Sequence, residues 1–273
     1  MSDARPIGVF DSGIGGLTVV HELLQRLPHE AITYFGDTAR VPYGPKSPET
    51  VRRYADEAAT YLLTRNIKLL VIACNTATAH AAERLAARLP VPVIGVIEPG
   101  ARAAVKASRT RRIGVIGTAG TIRSGAYDME VRRLLPNARV YAQPCPLFVP
   151  LVEEGWRAHG AARLIAQEYL LPLKELDIDV LVLGCTHYPL LRDLIGDIMG
   201  PRVRLVDSAT ETAIDVTATL DRLCLRRSAG EPPEHSFAAS DAPVRFRDVG
   251  RTFVGEVLST VEHVDVEGFG RAA

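Results

Sequence analysis

Short apolar runs alternate with longer segments whose apolar residues recur every three or four positions through most of this chain. "PIGVF", "AITYFGD", "IKLLVIAC" and "VPVIGVI" read as strands. Between them, "GGLTVVHELLQRL" puts Leu17, Val20, Leu23, Leu24 and Leu27 on one helical face. "SPETVRRYADEAATYLLTRN" opens as a helix should, with Ser47 as cap and Pro48 at the first helical position. "ATAHAAERLAARL" and "PGARAAVKAS" give two further helices. A strand–helix alternation of this kind predicts a parallel sheet with helices on both faces.

At Arg112 the pattern starts again. "RIGVIGTAGTI" echoes "PIGVFDSGIGG", and "VLVLGCTHY" echoes "LLVIACNTA". Gly8 precedes Cys74, and Gly114 precedes Cys185, by similar intervals. Paired landmarks at matched spacing point to an internal duplication. The predicted fold is α/β: two pseudo-symmetric lobes, each a largely parallel sheet flanked by helices, with a site between them. After "VRLVDSAT" and the helix "ETAIDVTATLDRLCLRR" the doublet does not restart. "HSFAAS" and "VRFRDV" read as short strands and "GRTFVGEVL" as a helix. Placing this tail back on the first lobe divides the chain into residues 1–97 with 208–273, and residues 98–207.

Composition narrows the function. The chain has 273 residues, 47% of them hydrophobic, enough for substantial cores. Basic and acidic residues number 32 each, which argues against nucleic acid or an anionic membrane as partner. No apolar run approaches a membrane span, and the polar start leads straight into a strand, so a cytoplasmic protein is expected. Four scattered cysteines, none in a C-x-x-C pair, argue against a disulfide framework, and the histidines lack metal-ligand spacing, so no metal site is expected. "DSGIGG" lacks the third glycine of a dinucleotide fingerprint. Of the four lysines, Lys46, Lys68, Lys106 and Lys174, none sits in a setting for a Schiff base to pyridoxal phosphate. A cofactor-free reaction is expected.

Open parallel sheets bind ligands beyond the carboxyl ends of their strands. Here those ends carry Asp11 and Ser12, then Cys74, Asn75 and Thr76, then Thr118 and Thr121, and finally Cys185, Thr186 and His187. If the lobes face each other about a pseudo-twofold axis, the two thiols approach one ligand from opposite sides. A base on one face of a carbon and an acid on the other invert its configuration. A thiol becomes a base when a helix amino end lowers its pKa, and such an end is expected after both cysteines. Asp11 is the candidate proton partner of Cys74, and His187 that of Cys185. The hydroxyls and the Asn75 amide suit an amino acid's carboxylate and ammonium groups. Cys145, between prolines, and Cys224, on an apolar helical face, are expected to be structural.

Five segments together, "GVFDSGIGGLTV", "YFGDTARVPYG", "ACNTAT", "GVIGTAGTI" and "LGCTHYPLL", resemble the motif set of bacterial glutamate racemases, in order, from about residue 7 through at least 210. The resemblance implies cofactor-independent interconversion of L- and D-glutamate, supplying D-glutamate for peptidoglycan. It places the catalytic cysteines at Cys74 and Cys185, the assisting acid at Asp11 and the assisting histidine at His187. Substrate contacts fall on Asp11, Ser12, Tyr43, Gly44, Asn75, Thr76, Thr118, Thr121, Thr186 and His187. Glu153, in "LVEEGW", resembles an acidic residue that some members place near the second thiol. Two α/β lobes and a homodimer are implied.

Two alternatives stand beside this reading. Aspartate racemases have a similar two-cysteine frame, but glutamate usually follows their second Cys-Thr, where this chain has His187. A two-lobed amino-acid-binding protein with inert thiols would bind without racemising. Some relatives carry an amino-terminal extension that binds an activator. With about five residues before the first strand here, that regulation is not expected.

Overall fold

The computed structural model describes residues 2–266 and Phe269. Two parallel sheets carry the chain. The first is built from β1 (Ile7–Asp11), β2 (Ile32–Gly36), β3 (Leu69–Ile72) and β4 (Val93–Gly95). The second is built from β5 (Arg112–Gly117), β6 (Arg139–Pro144), β7 (Val180–Gly184) and β8 (Arg204–Asp207). The strands run β2-β1-β3-β4 in one sheet and β6-β5-β7-β8 in the other, the same order twice. The repeat reaches the packing: a β-carbon on Gly8 would lie 2.7 Å from Cδ1 of Ile67, and one on Gly114 would lie 2.5 Å from Cδ1 of Ile178. In each lobe a glycine on the first central strand makes room for the isoleucine that leads into the second.

Strands β1, β3 and β7 are buried along their whole length, which is why they read as unbroken apolar runs. Their covering helices are α1 (Leu17–Arg26), α2 (Pro48–Thr64), α3 (Asn75–Arg88) and α4 (Ile97–Ala107) in the first half. In the second half come α5 (Ala119–Arg123), α6 (Ala126–Leu134), α7 (Phe148–Glu153), α8 (Gly160–Lys174) and α9 (Arg192–Met199). The α2 cap forms as its sequence indicates: Ser47 Oγ accepts the Thr50 N–H, with Pro48 next. Such a cap contributes about 1 kcal/mol.

From β8 the chain crosses back through α10 (Ala209–Arg222), whose Ala213, Val216 and Leu220 pack into the core around α1. It then adds β9 (Ser236–Ala239) beside β2 and β10 (Glu262–His263) beside β9, both parallel. Residues 244–249, "VRFRDV", are not a strand. They belong to α11 (Pro243–Val254), where Phe246, Gly250 and Val254 are buried at four-residue intervals. The apparent alternation misleads because Pro243 presets the first helical turn and the arginines face outward. Cys224 is also not where the sequence suggests. It lies beyond the end of α10, exposed and with φ 55°, because the helix stops at Arg222.

Candidate active site

The carboxyl ends of β1, β3, β5 and β7 meet between the sheets. Cys74 follows β3 and caps α3, its Sγ accepting the Ala77 N–H at 3.4 Å. Ser12, just past β1, lies 3.6 Å from the same sulfur. Cys185 follows β7 directly. No helix begins there: a 3₁₀ turn, Tyr188–Leu191, intervenes and α9 starts only at Arg192. Pro189 lacks the N–H that a regular helix would use, so the expected helix amino end belongs to Cys74 alone. The second sulfur has a different partner, His187, whose Nδ1 lies 3.9 Å away. On its far side, His187 Nε2 meets Glu153 Oε1 at 3.0 Å.

Both sulfurs line one cavity, together with Ser12, Gly44, Asn75 and His187. Tyr43, Thr76, Thr118 and Thr186 complete its predicted lining. The enclosed space is about 20 Å³, room for about one water molecule. Thr121 stands just behind, in a triangle of hydroxyls: Thr76 to Thr118 is 2.8 Å, and Thr121 is 3.1 Å from each. This triangle joins α3 of the first lobe to α5 of the second. Asp11 lies beneath the cavity, fully buried, accepting the Gly13 N–H at 2.9 Å and the Thr186 hydroxyl at 3.4 Å. Gly44 brings its backbone against Thr118, whose Cβ would be 2.7 Å from any Gly44 side chain. The Tyr43 hydroxyl donates to Asp37, inside the first lobe. On the outer side of Glu153 a larger cleft of about 540 Å³ opens between α7 and α11, so solvent reaches that carboxylate from behind.

The two thiols sit in unlike electrostatic settings. Burial pushes the Cys74 pKa up to about 12, and the Asp11 carboxylate pushes the same way, against the Ala77 N–H. Negative charge on Cys185 adds to the rise, so Cys74 feels the second sulfur across the cavity. Asp11 is itself raised by burial, against the pull of the His187 charge and its own hydrogen bonds. For His187 burial works downward, but the contacts with Cys185 and Glu153 overcome it and raise the pKa to about 10. His187 thus favours its protonated form beside Cys185.

A sequence profile of Asp/Glu/Hydantoin racemases matches residues 8–247. The chain belongs to this family. Within it, a glutamate racemase from Geobacter metallireducens is 54% identical over 263 residues, covering 96% of this chain and 97% of its own. Among solved structures, a glutamate racemase isoform from Bacillus anthracis superposes with a TM-score of 0.92 at 40% identity, over 96% of this chain and 97% of that one. The Francisella tularensis glutamate racemase, solved in complex with D-glutamate, gives a TM-score of 0.91 at 39% identity, over 97% and 99% of the two chains. The two parallel sheets flanked by helices are therefore the family's fold, repeated here.

For this Asp/Glu/Hydantoin racemase family member, sequence reasoning missed four residues at the site. Val41, Pro42 and Val149 line the cavity, and Tyr127 donates its hydroxyl to Asn75 Oδ1 at 2.8 Å. Val41 and Pro42 fall inside the quoted motif "YFGDTARVPYG", beside Tyr43, and could have been found there. Val149 and Tyr127 carry no such signal, since each is an ordinary apolar position of a short helix. Among the described residues no group of three or more His, Cys, Asp or Glu side chains could hold a metal ion, and no helix is long and apolar enough to cross a membrane.

Proposed function

We propose that this chain interconverts L-glutamate and D-glutamate by moving the Cα proton between two thiols, supplying D-glutamate for peptidoglycan. The activity itself follows the glutamate racemases to which the chain is so similar over nearly its whole length. The observation that supports the mechanism is that Cys74 and Cys185, at equivalent strand ends of a duplicated fold, line one cavity.

In this reading one cysteine, as thiolate, takes the α-proton while the other, as thiol, delivers a proton to the opposite face. In the reverse direction the roles exchange. Asp11 and Ser12 serve Cys74; His187, held by Glu153, serves Cys185. A raised Asp11 pKa brings that carboxylate closer to the thiol it exchanges protons with, which eases the transfer. The substrate's ammonium group supplies the cation that the Cys74 side lacks, and an opposite charge nearby favours the thiolate. Hydroxyls of Ser12, Thr76, Thr118, Thr121 and Thr186, the backbone at Tyr43 and Gly44, and the Asn75 amide hold the carboxylates and the ammonium. The two thiols carry the proton, so the reaction calls on no cofactor.

Glutamate is far larger than one water, so the cavity has to open to admit it. We take residues 1–97 with 208–273, and residues 98–207, as the two bodies that part and close again. Closure expels water and strengthens each charge interaction inside. A cytoplasmic homodimer is part of the same proposal.

The test is α-proton exchange in deuterated water, followed by NMR. Glutamate exchanges with the wild-type protein, and aspartate at a small fraction of that rate. Cys74→Ala and Cys185→Ala each stop racemisation, a loss of at least about 10²–10⁴-fold for a positioned acid or base. Comparable exchange with aspartate would overturn the substrate assignment; racemisation surviving in both variants would overturn the two-thiol mechanism.

A further inference from the structure

Tyr127 touches the neighbours of both catalytic cysteines. It projects from the start of α6 in the second lobe and is almost completely buried. Its ring edge packs on Gly184, the residue before Cys185, where an added β-carbon would stand 3.1 Å from Cε2. Its hydroxyl passes Gly100 of α4, again 3.1 Å from an added β-carbon, and ends on Asn75, the residue after Cys74. Burial raises the hydroxyl's pKa, so it remains an O–H donor throughout the working range.

Asn75 has an unusual balance of hydrogen bonds. It is buried and lines the cavity. Its Oδ1 accepts from Tyr127 at 2.8 Å, while its Nδ2 has no partner among the described residues. Buried amide donors are ordinarily satisfied, and an orphaned one needs a reason. A side-chain amide has two faces of nearly equal shape, one an acceptor and one a pair of donors. Rotated by half a turn, Asn75 would offer an oxygen to the bound amino acid. With Tyr127 donating at the other end, that rotation gives up the hydrogen bond to Oδ1.

We propose that Tyr127 is a positioning residue, whose hydroxyl holds the Asn75 amide with its N–H donors turned to a carboxylate of the bound amino acid. The proposal rests on the reading of Asn75 as a substrate contact. It adds that the contact is set from the opposite lobe, so that amide orientation and lobe closure come together. Opening the lobes frees the amide; closing them turns it back to its donor face.

The test is steady-state kinetics in both directions for Tyr127→Phe, Asn75→Ala and the double variant, each first checked for a folded thermal transition. Tyr127→Phe keeps the ring and loses the hydroxyl. It raises KM for both enantiomers by about threefold to tenfold, the worth of one ordinary hydrogen bond, with a smaller change in kcat. Asn75→Ala raises KM at least as much. The double variant matches Asn75→Ala alone, because Tyr127 reaches the cavity through Asn75, while its other hydrogen-bonding neighbour, Ser208, is not part of the cavity lining. A wild-type KM for Tyr127→Phe, or fold-effects that multiply in the double variant, would overturn the proposal. An unchanged KM for Asn75→Ala would instead remove the substrate contact on which it rests. If Tyr127→Phe does not fold, Asn75→Asp decides. With Tyr127 in place the carboxylate accepts the hydroxyl and turns its second oxygen to the substrate, so KM rises above that of Asn75→Ala. Equal values for the two variants would overturn the positioning role.

Discussion

Gly15 lies against His187 so closely that a β-carbon on Gly15 would stand 2.7 Å from Nδ1 of the ring and 2.4 Å from Oγ1 of Thr186. The loop after β1 and the turn after β7 therefore touch through backbone on one side and two proposed site residues on the other. Only a residue without a side chain permits this approach. Gly15→Ala displaces the Thr186–His187 turn or holds the lobes apart. A displacement of about 1 Å at reacting groups costs on the order of 10²-fold. The expected result is a fall in kcat of about that size with the thermal midpoint little changed, measured by racemisation kinetics and thermal unfolding. Near wild-type kcat would show that the turn has slack and that its placement is not limiting.

The Glu153–His187 pair predicts a pH dependence of stability. The His187 pKa rises from 6.5 to about 10 on folding, since contact with Cys185 and Glu153 outweighs burial. A base whose folded pKa is raised contributes stability that is complete below the unfolded value and is lost as pH rises through the folded one. The contribution is thus whole below about pH 6.5 and fades towards pH 10. His187→Asn removes the titrating group, so its midpoint falls less than that of wild type between pH 7 and 10. Glu153→Gln weakens the support and moves the wild-type decline to lower pH. Parallel curves for all three proteins would mean that His187 does not hold its proton as described.

How much of this was legible in the chain depends on how local each cause is. Strands β1, β3, β5 and β7 read clearly because both faces of their sheets are covered, leaving unbroken apolar runs ending in polar residues. The duplication read clearly because Gly8 and Gly114 solve one packing problem twice, against Ile67 and Ile178. Residues 244–249 misled because outward arginines between apolar residues imitate a half-buried strand, while the decisive Pro243 stands just before them. The turn after Cys185 misled because glycine and cysteine ending a strand suggest a helix start, and Pro189 diverts it. Tyr127 was invisible because its role depends on a residue 52 positions away, across two lobes. No periodicity reports such a contact.

The cysteines differ in access, which gives a direct check on their placement. Cys74, Cys145 and Cys185 are buried, and Cys224 is exposed beyond α10. Exposure governs reaction with a thiol reagent more strongly than any other factor here, since the buried Cys74 and Cys145 thiols are also held protonated by burial. A disulfide reagent at pH 8 should therefore titrate one thiol quickly and three slowly. Cys224→Ser abolishes the fast phase and leaves racemisation intact. Loss of activity in step with the fast phase would place Cys224 near the site, contrary to its position in the fold.

Lys68 ties three distant stretches of chain together at the end of the first sheet away from the cysteines. It precedes β3 and is buried, with Nζ donating to Glu30 Oε2 at 2.6 Å and to the carbonyls of Asp3 and Leu225 at 2.7 Å each. Glu30 Oε1 in turn accepts the Arg227 N–H at 2.9 Å. One buried ion pair thus fixes the amino terminus and the chain leaving α10 to the start of a central strand. Lys68→Met removes the cation and strands a buried carboxylate, which costs about 3–5 kcal/mol. The urea midpoint should fall accordingly, while the folded fraction keeps its KM, because the cysteines stand at the other end of β3. Adding Glu30→Gln neutralises the stranded charge and recovers part of the loss, since the amide oxygen still accepts the Arg227 N–H. If Lys68→Met costs less than about 1 kcal/mol, water or a second cation already compensates Glu30, and the pair cannot be what anchors the returning chain to its lobe.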